Sequence, residues 1–180
     1  RGGVAGGQAL MSAIFGLFGC GLLCLAVGAT GLRLRRFPVG ARIAVMLGAA
    51  LAVFAPFGDL PAAAYVRGVT GDLSMTTLAL AGAACVAQLT GRAVIDRRNL
   101  RSLSWLAASA AVFLYPFALG WTQFDPYALG YGSIEFVTAL LLVTLVAWHF
   151  RQNAVVLIVI AAALAYLGGA YESRNLWDYL

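Results

Sequence analysis

The sequence predicts an all-α fold: a polytopic transmembrane helical bundle of about six helices, arranged as three repeated helical hairpins with both termini extracytoplasmic. Three observations carry that expectation. Hydrophobic residues make up 62% of the chain and charged residues 11%, against ~25% charged in an ordinary soluble domain. A soluble fold of 180 residues has no way to bury so much apolar surface, because surface shrinks slowly with size. Apolar stretches approaching the ~20 residues of a spanning helix recur along the whole chain, and the basic residues fall in alternate gaps between them.

The predicted helices are Gln8–Leu32, Ile43–Phe57, Leu73–Gly91, Ser102–Trp121, Ile134–Phe150 and Ala154–Tyr171. Together they use residues 1–180 as a single transmembrane domain. The second is short for a span and reads as extending toward Tyr65, with a break at Pro56 or Pro61. Residues 172–180 read as a short interfacial segment, with Leu176, Trp177 and Leu180 toward lipid or a partner and Glu172, Arg174 and Asp178 toward water. The chain opens on Arg1-Gly2-Gly3 and closes within an apolar pattern, which reads as part of a longer protein.

Charge sets the orientation. All twelve basic residues are arginine. Arg33, Arg35, Arg36, Arg42, Arg92, Arg97, Arg98, Arg101 and Arg151 fall on one side, and Arg1, Arg67 and Arg174 on the other. Loops rich in Lys and Arg stay in the cytoplasm, so the nine-Arg side is expected to be cytoplasmic. Asp96 is the one acid among those arginines; Asp59, Asp72, Asp125, Glu135, Glu172 and Asp178 lie across the membrane. Interleaved with apolar stretches, the net charge of +5 is a topology signal and implies no nucleic acid. The absence of lysine fits a GC-rich genome, and hence the cytoplasmic (inner) membrane of a bacterium.

An offset of 59 residues recurs. It separates Arg33 from Arg92, Arg42 from Arg101, and Arg92 from Arg151. It also separates Val53-Phe54 from Val112-Phe113, Gly71 from Gly130, and Ser74 from Ser133. Pro56-Phe57 and Pro116-Phe117 correspond with one extra residue. The unit is a hairpin with a basic inner loop and an acidic, aromatic outer one; the third copy is degenerate, its inner loop reduced to Arg151-Gln152-Asn153.

Little catalytic chemistry is legible. Cys20, Cys24 and Cys85 sit in apolar stretches, so neither a disulfide framework nor a metal site is implied. Ser12, Gly16, Cys20, Cys24 and Gly28 recur every fourth residue and predict a close helix-packing face, within which Gly16, Cys20, Cys24 and Gly28 are the packing positions. His149 is the single histidine, which excludes bis-histidine haem, an HExxH zinc site and a multi-histidine phosphatase within this chain. It reads as facing headgroups or complementing a helix C-terminus. Gln88, deep in a helix, is expected to be satisfied by a neighbouring helix. No cofactor is implied.

The predicted outer loops gather the remaining polar chemistry: Asp59, Arg67, Asp72, Asp125, Tyr127, Glu135, Glu172 and Arg174. They suit recognition of a polar headgroup or sugar on an aromatic rim. Local structure competes for several of them, since Asp72 and Ser133 stand where helix N-caps belong. Phe124-Asp125-Pro126-Tyr127 is turn chemistry. Glu135, two residues into an apolar helix, is expected to be a partly buried acid.

The leading expectation is a non-catalytic membrane subunit or scaffold, partnered by membrane lipids and other membrane-protein subunits, with an outward-facing recognition surface. Two alternatives are a transporter or permease for a lipid-linked or small amphipathic substrate, using Glu135, Gln88 and Asp59, and the membrane part of an outer-leaflet lipid- or glycan-modifying enzyme, using Asp125, Glu135 and Glu172.

Overall fold

The computed structural model describes residues 2–120 and 124–180, with side chains described from Ser12 onward except at 118. Arg1, placed on the predicted outer side, and Trp121, the end of the fourth predicted helix, lie outside the described residues. The chain is mostly helical, with seven α-helices among the described residues: α1 (Gly2–Gly31), α2 (Val39–Phe54), α3 (Ala62–Thr70), α4 (Met75–Thr90), α5 (Arg97–Ala118), α6 (Ile134–His149) and α7 (Asn153–Leu167). Short 3-10 turns cover Leu34–Arg36, Pro126–Gly130 and Leu176–Tyr179.

Among the described residues one segment, Ser12–Gly31 of α1, is both long and apolar enough to cross a membrane, with a mean hydropathy of 2.1 over its best window. Helices α2, α4, α6 and α7 are apolar but shorter, at 15 to 16 residues. Helices α1, α4 and α6 end at Gly31, Thr90 and His149, at successive intervals of 59 residues, and α4 and α6 are each 16 residues long.

Several boundaries differ from the sequence expectation, and local chemistry accounts for two of them. The second predicted helix, expected to break at Pro56 or Pro61, is interrupted at both. Helix α2 stops at Phe54, Pro56-Phe57 pairs antiparallel with Leu60-Pro61, and α3 starts after Pro61. Both prolines act, since each lacks an N–H to continue a helical ladder. The tight turn between them holds Gly58 at φ 73°, and the Tyr65 hydroxyl donates to the Phe57 carbonyl at 3.1 Å.

Helix α5 begins at Arg97 rather than Ser102, because the Asp96 side chain caps it by accepting the Asn99 N–H at 2.8 Å. Arginine is itself a good helix former, so the run of Arg97, Arg98 and Arg101 marks a change of surroundings and not a loop. At the far end, the predicted interfacial segment holds a 3-10 turn whose Leu176 is buried.

The chain divides into two compact units, Arg1–Val94 with Ala170–Glu172, and Ile95–Gly169 with Ser173–Leu180. In the first, α1 is the hub and packs against α2, α3 and α4. From Ser12 onward its buried positions are Ser12, Gly16, Gly19, Cys20, Gly21, Ala26 and Ala29. Small residues let the neighbours close in: a Cβ at Gly19 would stand 2.8 Å from Leu78 of α4, and one at Gly21 would meet the Phe54 ring of α2. Ala26, Ala81 and Cys85 form the core between α1 and α4, with Leu22, Leu25 and Met46 around it.

Along the predicted stripe Gly16 and Cys20 are buried, Cys24 is half-buried, and Gly28 is exposed with nothing near its Cβ position. The reason is geometric. At about 100° per residue, a four-residue step drifts by about 40° per turn, so Gly28 lies about 160° around the helix from Ser12.

The loop between α1 and α2 is held by two side chains. Arg42 donates to the carbonyls of Phe37 (2.7 Å), Arg35 (2.7 Å) and Leu89 (3.3 Å). Gln88, buried in α4, donates to the Thr30 hydroxyl at 3.4 Å and accepts the Arg35 N–H at 3.3 Å.

In the second unit α7 is the hub, packing on α5, α6 and the terminal turn. Val155, Ile158, Val159 and Ala162 are its buried row. Gln152 provides no side-chain cap for α7. Buried Asn99 of α5 does so from across the interface, its Oδ1 accepting the Val155 N–H at 3.4 Å.

Two substitutions test this packing. In detergent thermal unfolding, Gly16→Ala is expected to destabilise by about 1–3 kcal/mol through overpacking. Gly28→Ala is expected to be neutral or to stabilise by up to about 1 kcal/mol, as alanine is the better helix former. Asn99→Ala leaves a buried N–H at the start of α7 unpaired and is expected to cost about 1–3 kcal/mol; an unchanged melting temperature would remove its capping role.

Candidate functional site

The predicted site residues fall into two local clusters, one in each unit. In the first unit, α3 and the turn after it bring Arg67 to Asp72: Nε to Oδ1 is 2.8 Å and Nη2 to Oδ2 is 3.4 Å. Asp72 therefore serves an ion pair rather than an N-cap, and α4 is capped by Ser74, whose side chain accepts the Thr77 N–H at 3.2 Å. The hydrogen bond to Asp72 pushes the Arg67 guanidinium further up from its already high value, against desolvation, with the charges of Asp72 and Glu172 adding.

The pair sits directly over Gly16 of α1, where any Cβ would collide with Asp72 Oδ1 and Arg67 Nε. One turn further along α1, the Cys20 thiol contacts the Thr70 hydroxyl at 3.7 Å and the Gly71 carbonyl at 3.8 Å. One turn before Gly16, the buried Ser12 hydroxyl has no hydrogen-bond partner. An open cavity of about 380 Å³ adjoins the pair, lined by Leu17, Ala64, Gly68 and Gly71. Of the other predicted residues in this unit, Glu172 reaches Arg67 through its charge. Asp59 stands exposed at the tip of the Pro56–Pro61 hairpin.

In the second unit, the chain end is tied to the 126–130 turn. Asp125 accepts the Tyr127 N–H at 2.9 Å and so caps that turn. The Tyr127 hydroxyl reaches both carboxylate oxygens of Asp178, at 2.8 and 2.9 Å, and Ser173 donates to the same carboxylate. Asn175, fully buried, donates to the Tyr127 carbonyl at 2.9 Å and accepts the Trp177 N–H at 3.0 Å. Trp177 donates through its indole to the Pro126 carbonyl at 3.1 Å and stacks on Phe136 at 4.2 Å. Gly130 is required here, since a Cβ would overlap the Asn175 side chain.

Asp178, expected to face water, is thus engaged, and Leu176, expected to face lipid or a partner, is buried. Glu135, expected to be partly buried, is exposed in the first turn of α6. There its charge complements the positive end of the helix. Ser133 caps that helix through the Phe136 N–H at 3.2 Å. Arg174 is exposed.

Sequence reasoning missed Ser173, Asn175 and Tyr179, whose hydroxyl donates to the Ser173 carbonyl at 3.0 Å. The signal was present: Ser173-Arg-Asn175-Leu-Trp177 is a run of side chains that bond the backbone two residues on, as both Ser173 and Asn175 do. Among the described residues no group of three His, Cys, Asp or Glu is placed to hold a metal ion. No family model, curated protein or solved structure matches the chain.

Burial, with the Asp178 hydrogen bond and charge, pushes the Tyr127 phenol up to about 12 from the ordinary ~10. A pKa raised by folding contributes stability that is complete below the unfolded value and disappears as pH rises through the folded one. The melting temperature is therefore expected to fall between about pH 10 and 12 through this group, and Tyr127→Phe is expected to remove that part of the decline. Identical alkaline profiles for the two proteins would show that Tyr127 and Asp178 are not coupled.

Proposed function

We propose that this chain is a polytopic membrane subunit or scaffold, non-catalytic in itself, which packs laterally against other membrane-protein subunits and presents a polar, aromatic rim on its extracytoplasmic side. Its six spans form three helical hairpins in a bacterial cytoplasmic membrane, with the nine-Arg side inward and both termini outward. Helix α3 lies within the first outer loop.

The observation that carries the reading is the apolar surface left uncovered on helix after helix. Leu51 on α2 is 74% exposed, Val112 on α5 74%, Trp148 on α6 66% and Leu167 on α7 78%. Isolated exposed apolar residues are ordinary, whereas whole apolar faces mark a membrane or a partner. Lipid suits them because the exposed arginines are confined to the helix ends and the gaps between helices.

Helix length is compatible. The 22 residues of α5 rise about 33 Å and the 16 of α4 or α6 about 24 Å, against a hydrocarbon core of about 30 Å. The shortfall is of the kind that local thinning and interfacial anchors accommodate. The triplication is supported by the 59-residue spacing of the ends of α1, α4 and α6, and by Ser74 and Ser133 capping α4 and α6 through the same bond to the third residue on.

A non-catalytic role is supported by how many polar groups are already engaged. Gln88, Asp72, Asp125 and Asp178 hold backbone or side-chain partners within the fold, and a group so engaged is poorly placed to act on a substrate. Exposed Asp59, Glu135, Glu172 and Arg174 remain for recognition at the outer rim.

Single cysteines read by a membrane-impermeant maleimide test the topology. Cysteine at Asp59 or Tyr131 is expected to label in intact cells, and cysteine at Arg36, Arg97 or Arg151 only after permeabilisation, with the parent protein as background. The reverse pattern would invert the orientation. Loss of the protein from membranes on alkaline carbonate washing would overturn the membrane reading.

A further inference from the structure

Within the second unit, α5, α6 and α7 leave a groove between them of about 400 Å³, in the ~300–1,000 Å³ range of small-molecule sites. Its walls are apolar, with Trp105, Leu106, Leu142 and Val146 among them, and polar side chains enter at one end, from Ser102 and Gln152. Trp105, 69% exposed, also borders a second apolar cavity of about 460 Å³ that continues along α5 to Phe117. From Ser102 to Phe117 the helix rises about 22 Å, longer than the ~15 Å half-thickness of a hydrocarbon core.

Arginines lie next in sequence to the polar residues of this groove. Arg98 and Arg101 continue the helical row of Ser102, Trp105 and Leu106 back toward the start of α5, at spacings of three and four residues that share one face. Arg151 immediately precedes Gln152. All three guanidinium side chains are exposed, and the one salt bridge among the described residues, Arg67–Asp72, lies elsewhere. The one acid in this region, Asp96, bonds Asn99 through a single carboxylate oxygen, and its charge also interacts with that of Arg98.

We infer that this groove is a binding site for an anionic phospholipid of the inner leaflet, its acyl chains lying along α5 on either side of the Trp105 ring and its phosphate held by Arg98, Arg101 and Arg151. The inference rests on the membrane orientation proposed above. Charge complementarity selects the occupant: an apolar trough whose polar end neighbours three exposed arginines and a single acid matches a lipid with apolar tails and a net negative head. A zwitterionic lipid brings its own cation to the same place. A second helix in the groove would instead leave the arginines unanswered.

The full chain, reconstituted into phosphatidylcholine vesicles, is titrated with either acyl-brominated phosphatidylglycerol or acyl-brominated phosphatidylcholine while tryptophan fluorescence is read. The quenching lost in Trp105→Phe identifies the signal from the groove. That signal is expected to half-saturate at a mole fraction of the brominated anionic lipid at least about fivefold lower than of the zwitterionic one, the scale of one arginine at a membrane surface. The exposed triple variant R98Q/R101Q/R151Q is expected to bring the two titrations together. Equal half-saturation in the unaltered protein, a measurement that needs no variant, would overturn the anionic-lipid site and leave the membrane reading intact. Quenching by neither lipid would overturn both.

Discussion

The structure depends on a scarcity: a chain that is 62% hydrophobic has few polar side chains with which to close the ends of its helices. Each helix leaves backbone donors and acceptors unsatisfied at its ends, and leaving such a group buried and unpaired costs about 1–3 kcal/mol. The polar residues present are spent on that need. Ser74, Asp96 and Ser133 cap α4, α5 and α6. Arg42 gathers three carbonyls, and Asn99 caps one helix from another.

The same scarcity shapes the packing. With few polar contacts to hold helices together, close approach of backbones does the work, as in membrane proteins generally. Gly16, Gly19 and Gly21 of α1 admit an ion pair, a leucine and a phenylalanine ring respectively. The Arg67–Asp72 pair lying over Gly16 is thereby part of the packing as well as the most polar feature of its unit. In the second unit the interlock of Asn175, Gly130 and Trp177 draws the chain end onto the turn before α6. That turn belongs to one of the predicted outer loops. Its acids and tyrosines are now divided between groups that build the fold and groups that remain exposed.

Two kinds of positive charge emerge. Arg42 and Arg67 are structural, committed to carbonyls and to a carboxylate. Arg98, Arg101 and Arg151 are exposed and close in sequence to Ser102 and Gln152, which line an apolar groove. Sequence position alone does not separate these groups, because Arg42 and Arg101 lie 59 residues apart at equivalent positions of the proposed repeat.

The amino-acid sequence by itself determined the helical class, since apolar composition and run length depend on nothing distant. It also determined most helix ends to within a few residues, because caps such as Ser133 and breakers such as Pro56 and Pro61 act locally. The small-residue face of α1 was legible at Gly16 and Cys20 for the same reason. Only the tertiary structure decided where that face ends, because a four-residue spacing drifts off a 3.6-residue helix and Gly28 turns away. It alone paired Asp72 with Arg67, exposed Glu135, and enclosed Leu176 and Asn175. Those outcomes depend on which segments meet across 48 residues in the case of Asn175 and Tyr127. Local patterning carries no record of such a meeting, and side-chain burial follows from it.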